Sequence, residues 1–160
     1  MYEPKYLTLA RMNIGLRELT GRNDHPLILS WWAKFNSKWL YKQAWCGLFV
    51  AHCLHAYGHT IPATFYRAKS FLDWGVPIAL PCLGCIVIFD RKGGGHVGFV
   101  VGKDNAGRLL VLGGNQGNRV SIEPFKNDRV LGYRIPQYFT GELKSLPIMS
   151  NSLASSATED

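Results

Sequence analysis

The sequence predicts an α+β domain in which helices come first and an antiparallel sheet follows. Apolar residues in the first half recur at helical spacing, and beyond Pro81 the pattern changes to short β-branched runs. Gly, Asn and Asp turns separate those runs. Two periods segregated into two halves of a chain are the mark of the α+β class. With 160 residues, 47% of them hydrophobic and 12% aromatic, the chain suits one domain that buries roughly two-thirds of its unfolded surface. Uncharged apolar stretches stay well short of a membrane span, so a soluble protein is expected.

Residues 5–19 carry Leu7, Leu9, Ile14, Leu16 and Leu19 in a helical pattern interrupted near Gly15, and "TGRND" at 20–24 reads as a turn. A second helix starts after Asp24, with Asn23 or Asp24 as its cap, Pro26 in its first turn and "LILSWWAKF" as its apolar face. A third spans about 45–57 and stops at Gly58; a fourth, short one covers 63–75 and closes at Gly75. The runs "CIVIFDR", "HVGFVVGK", "RLLVLGGN", "RVSIEPF" and "VLGYRIP" then predict an antiparallel meander. Residues 1–138 form the single domain, and 139–160, rich in Ser and Thr without periodicity, read as a flexible tail.

Eighteen Lys and Arg against 11 Asp and Glu give a formal charge of +7, spread along the chain. Such a surface attracts polyanions, a cell wall among them. An RNP-like strand, zinc-finger spacing and a basic helix are all missing, so no nucleic acid is expected as partner. "MYEPKYLTLARMNIG" places Glu3 and Pro4 before any apolar run and lacks a small-residue cleavage site, so synthesis in the cytoplasm without a signal peptide is expected. Four cysteines are too few for a disulfide scaffold and point to reduced thiols, metal ligands or catalysis.

Cys46 falls at a predicted helix start, where unpaired N–H groups and the helix dipole favour thiolate. Cys53, seven positions on, lacks that advantage. If the loop in "GKDNAGR" is Asp104 to Gly107, Lys103 pairs with Arg108, Val101 with Leu110, Phe99 with Leu112 and His96 with Asn115. Opposed residues share a face, so an imidazole and a carboxamide become neighbours. Gly98 and Gly113 face each other on that side, a notch into which a helix end or a substrate is expected to fit. A bulge near "KGGGH" would shift this register. Given a neighbouring His96 to take its proton, Cys46 is a competent nucleophile, and Asn115 can orient the imidazole.

Rival readings use the same residue types. "CLGC" at 82–85 with His52, His55 or His59 could build a zinc site, yet no second paired-ligand motif stands at finger-like spacing. A redox pair would open a helix, whereas Cys82 and Cys85 precede the strand "IVIF". "GGGH" and "GGNQGN" lack the following helix with Lys-Ser or Lys-Thr that a phosphate cradle needs.

In combination, "AWCGLFVAHCL", "RAKSFLDWG", "GCIVIFDRKGGGHVGFVVG" and "LLVLGGNQGNRVSI" resemble the papain-like amidases of bacterial cell walls, of the CHAP and NlpC-type superfamily. The resemblance covers about residues 5–136 and is nearest to small single-domain members from phages and bacteria. It departs at Gly113, where many CHAP domains carry an acidic residue, and at Cys85, where similar members often have Asp.

The resemblance implies a papain-like fold with N-terminal helices packed on the sheet. It implies Cys46 as nucleophile, with its backbone N–H in an oxyanion hole, His96 as general base and Asn115 as orienting group. The expected activity is hydrolysis of amide bonds in peptidoglycan, as an amidase or endopeptidase, without cofactor or metal. Its place of action would be the periplasm or cell wall, after release through a phage holin or delivery by a secretion system. A cognate immunity protein is the expected partner in the second case. The alternative is a binding module, catalytically inactive or stabilised by zinc.

Overall fold

The computed structural model describes residues 2–19, 25–143 and 146–149. Three helices, α1 (Lys5–Met12), α2 (Pro26–Lys34) and α3 (Cys46–Ala56), precede six strands. These are β1 (Val76–Ile78), β2 (Ile86–Arg91), β3 (Gly94–Lys103), β4 (Leu109–Gly113), β5 (Ser121–Phe125) and β6 (Val130–Ile135). They form one antiparallel sheet in the order β1-β6-β2-β3-β4-β5. The α+β class and the order of helices before sheet are as expected. No helix among the described residues is long and apolar enough to cross a membrane.

Strands β2 to β5 make the meander that their spacing predicts, but β6 does not continue it. It crosses back to lie between β1 and β2. β1 itself was hidden in the sequence because Pro77 argues against a strand; at a sheet edge its missing N–H is tolerated. The helix expected over 63–75 is a 3-10 helix, Ala68–Asp73, preceded by turns. α1 ends early at Met12, and Gly15, at φ +98°, turns the chain toward β5, where Gly15 N–H donates to Val120 O at 2.9 Å. At α2 the cap is His25, whose Nδ1 accepts from Leu27 N–H at 3.1 Å; Asn23 and Asp24 lie outside the described residues.

Each face of the sheet has its own core. Ile86, Ile88, Val97, Phe99, Leu110 and Leu112 meet the helices. Val87, Phe89, Val100 and Val111 point the other way, together with Cys85 and Ile135. Part of the expected tail belongs here: Phe139 and Leu146 pack on this second core. Ile148 bridges to Lys103, and Met149 N–H donates to Lys103 O at 2.8 Å. Apolar side chains at those positions outweigh the polar composition around them.

α3 is apolar nearly all round, as a helix inside a core must be; its residues Cys46 to Ala51, with Cys53 and Leu54, are buried. Its second residue, Gly47, lies so close to the Phe65 carbonyl that a Cβ there would collide with it. Helix propensity alone would make Gly47→Ala stabilising by about 1 kcal/mol. The close approach reverses the sign, and a loss of about 1–3 kcal/mol is expected from overpacking. Urea unfolding of the two proteins distinguishes the outcomes, since a gain in stability would mean that the backbones do not meet there.

Candidate active site

Trp45 occupies the N-cap position of α3 and offers no side-chain cap, so the first-turn N–H groups are left to other partners. Trp45 is instead held by its ring, whose Nε1 donates to Glu18 Oε1 at 2.6 Å, while the ring face and Phe49 press on Gly114, where no Cβ would fit. Cys46 follows, 6% exposed, near enough to the backbone N–H of Val97 on β3 for that group to favour its thiolate. Burial pushes the thiol above its ordinary range; the Val97 and Gly47 N–H groups and the Arg91 charge offset this only in part. The depressed thiol expected from helix position is therefore corrected: desolvation outweighs the helix start.

The β3–β4 register has two departures from expectation, and they cancel. The loop is one residue longer, because Asp104 Oδ1 accepts from the N–H of Ala106 and of Arg108, so Lys103 pairs with Leu109. A bulge between Val100 and Gly102 then removes the offset, and Phe99 faces Leu112 as the sequence predicts. Pairing stops at Gly113, which lies opposite Ser121 of β5. Asn115, expected opposite His96, sits beyond the strand at φ +59°.

The carboxamide that reaches His96 belongs to the next residue. Gln116 Oε1 lies 2.9 Å from His96 Nε2, while Gln116 Nε2 donates to Val111 O at 3.1 Å and to Ser121 O at 2.8 Å. Those two carbonyls fix which end of the amide is which. Oε1 can only accept, so His96 carries its proton on Nε2 and leaves the Nδ1 lone pair free to act as base. Gly113 makes this fit, for a Cβ there would overlap Gln116 Oε1. The notch read from Gly98 and Gly113 is filled by side chains of the sheet itself, Val111 and Gln116, and not by a helix end or substrate. The turn through 114–118, with Asn115, Gly117 and Asn118 all at positive φ, carries Gln116 back over the sheet. The signal in the sequence was "GGNQGN", in which two adjacent carboxamides compete and only the path of the turn selects one.

His96 is 1% exposed and stands on the pleat opposite to Val97. Its ring stacks on Phe125 at 5.5 Å and on Phe89 at 6.2 Å between centroids. Burial lowers its pKa to about 4, opposed by the Gln116 hydrogen bond and assisted by Arg91. At neutral pH the imidazole is uncharged. Cys46 thus meets β3 at the peptide next to His96, but among the described residues no hydrogen bond joins its sulfur to the imidazole. The resting pair is a neutral thiol and a neutral base.

The remaining candidates are placed elsewhere. Cys82 and Cys85 share a hydrogen bond, which holds Cys82 below its usual range while burial pushes Cys85 up. His52 stacks on Trp31 and lies 2.7 Å from Lys34 Nζ, His55 meets Phe35 edge-on, and His59 meets Tyr6. Among the described residues, no three His, Cys, Asp or Glu side chains converge as a metal site requires. No family model matches the chain, and no curated protein matches its sequence.

Two measurements follow from the charge states. His96 and His52 are both lowered to about 4, so the unfolded chain binds more protons between about pH 6.5 and 4. Stability is fully present above that window and is lost as pH falls through it, with His96 contributing on the order of 3 kcal/mol. Urea midpoints at pH 7 and pH 4 should draw closer together in His96→Gln. Separately, iodoacetamide should label Cys46 ahead of Cys53, Cys82 and Cys85, which are fully buried. Its rate should keep climbing through the alkaline range where a free cysteine levels off. A rate already level at pH 7 would contradict the raised thiol.

Proposed function

We propose that the chain is a papain-like cysteine hydrolase that cleaves amide bonds of bacterial peptidoglycan. The observation that carries this reading is the Gln116-bound, uncharged His96, whose chain neighbour Val97 bears through its backbone on the helix-start thiol of Cys46. A fixed tautomer with a free Nδ1 and a buried thiol at a helix start are the two groups that acyl transfer by a thiol–imidazole pair uses. The resemblance of four sequence blocks to CHAP and NlpC-type enzymes names the substrate, and the charge of +7 suits an anionic wall.

In the proposed reaction, the Cys46 thiol gives up its proton to Nδ1 of His96 and attacks the amide carbonyl. The Cys46 backbone N–H supports the oxyanion. His96 returns the proton to the leaving amine as the C–N bond breaks, leaving a thioester on Cys46. Water, deprotonated by His96, then releases the acid and restores the thiol. Gln116 takes the orienting role first given to Asn115, because its oxygen holds Nε2–H throughout. The reading covers both a phage endolysin freed by a holin and an antibacterial effector paired with an immunity protein.

Purified protein should release soluble fragments from isolated sacculi, and Cys46→Ala and His96→Ala should each remove nearly all of that activity while the fold persists. Gln116→Ala should slow the reaction on the order of tenfold to a hundredfold, whereas Asn115→Ala should leave it within about twofold. Intact sacculi with the wild-type protein, or full activity in Cys46→Ala, would sink the hydrolase reading. Mass spectra of the fragments separate amidase from endopeptidase cleavage.

A further inference from the structure

The positive charge of the chain is not evenly balanced along it. Residues 25–72 contain Lys34, Lys38, Lys42, Arg67 and Lys69 and not one Asp or Glu, so this stretch carries five of the seven net positive charges. Lys34 lies 2.7 Å from His52 Nδ1, and Lys69 is bound to Asp90 at 2.9 Å. Lys38, Lys42 and Arg67 are exposed, and among the described residues they make no ion pair.

An aromatic group shares this surface. Of the five tryptophans, Trp31, Trp32, Trp45 and Trp74 are buried, whereas Trp39 is 70% exposed. It lies in a 3-10 helix, Lys38–Leu40, where Leu40 N–H donates to Ser37 O at 2.9 Å and Tyr41 N–H to Lys38 O at 3.1 Å. At three residues per turn, Lys38 and Tyr41 stand in one row and Trp39 and Lys42 in the next, while Leu40 is buried and anchors the segment. Lys42 Nζ lies 5.4 Å from the centre of the exposed Tyr41 ring. The Trp39 ring meets that of Tyr66 at 5.8 Å and 73°. Tyr66 is the chain neighbour of Arg67, so this contact brings the third cation to the border of the patch.

We propose that this patch docks the protein on an anionic phospholipid surface, with the Trp39 and Tyr41 rings at headgroup level and Lys38, Lys42 and Arg67 against lipid phosphates. Lysines alone would serve any polyanion. An exposed indole among them suits a bilayer, because the amphipathic ring settles at the boundary with its apolar body inside and its N–H in water, while each basic side chain gains from the negative surface potential. A single-stranded nucleic acid asks for parallel stacking platforms, and the near-perpendicular Trp39 and Tyr66 rings do not form one. A second copy of the chain is disfavoured because a patch of one sign repels itself in a two-fold contact. Docking involves neither Cys46 nor His96 and is independent of the hydrolase reading.

The test sediments the full chain with vesicles of phosphatidylcholine alone and of phosphatidylcholine mixed with phosphatidylglycerol. Binding should favour the anionic vesicles by on the order of tenfold or more, since each basic side chain at an anionic leaflet contributes about fivefold. Trp39 supplies its own signal: its emission should shift to the blue on binding and become shielded from acrylamide. Trp39→Ala should remove that shift and weaken binding on the order of tenfold. Lys38→Gln with Lys42→Gln should weaken it by at least as much. Lys92→Gln with Lys126→Gln, exposed positions outside the patch and the same loss of charge, should stay within about twofold. Circular dichroism checks that each variant keeps its fold. Equal sedimentation with both vesicles or with neither, an unchanged Trp39 emission on binding, an equal loss in the Lys92 and Lys126 variant, or tighter binding to a single-stranded oligonucleotide than to the anionic vesicles would each overturn the docking surface.

Discussion

Burying the first turn of α3 against the sheet demands backbone without side chains where the elements meet and partners for every polar group carried inside. Gly47 lets the Phe65 segment reach the helix, and Gly114 lets Trp45 and Phe49 reach the turn after β4. With those approaches made, Cys46 is buried near the backbone of Val97. Trp45, whose N–H would otherwise be buried unpaired, draws in Glu18 and with it the chain that follows α1. The site is thus a by-product of how tightly one helix end can be packed.

The same desolvation sets the chemistry available there. A buried imidazole bonded to a neutral carboxamide stays uncharged, and a buried thiol stays protonated. A carboxylate in place of Gln116 would favour imidazolium and draw the pair toward a thiolate. With Gln116 saturated by Val111 O and Ser121 O, the ring is oriented without being charged. Under the proposed hydrolase reading, proton transfer then belongs to the moment of attack and not to the resting protein. Arg91, the cation that bears on both groups, assists by favouring the deprotonated thiol and the neutral base.

Residues of similar chemical promise stand apart from this arrangement. The three histidines of the α3 segment are spread along it, each against a different aromatic ring, because a helix separates successive turns in space. Cys82 and Cys85 close a turn around Gly84, which receives the Tyr6 hydroxyl at 2.5 Å on its carbonyl and ties α1 to the entrance of β2. Sequence proximity of ligating types was therefore a poor guide to convergence.

The helical and strand periods by themselves determined the α+β class, the helix that starts at Cys46, and strands β2 to β6 to within a few residues, because periodicity records which face of a local segment meets the core. Phe99 opposite Leu112 was legible too, although only because a longer loop and a bulge shift the register by equal and opposite amounts. Only the tertiary structure decided that β6 returns beside β2, that Gln116 and not Asn115 holds His96, that Arg91 shares the His96 face, and that Cys46 is raised and not lowered. Each of these depends on which distant groups lose water together, and desolvation is a property of the assembled core that no local pattern carries.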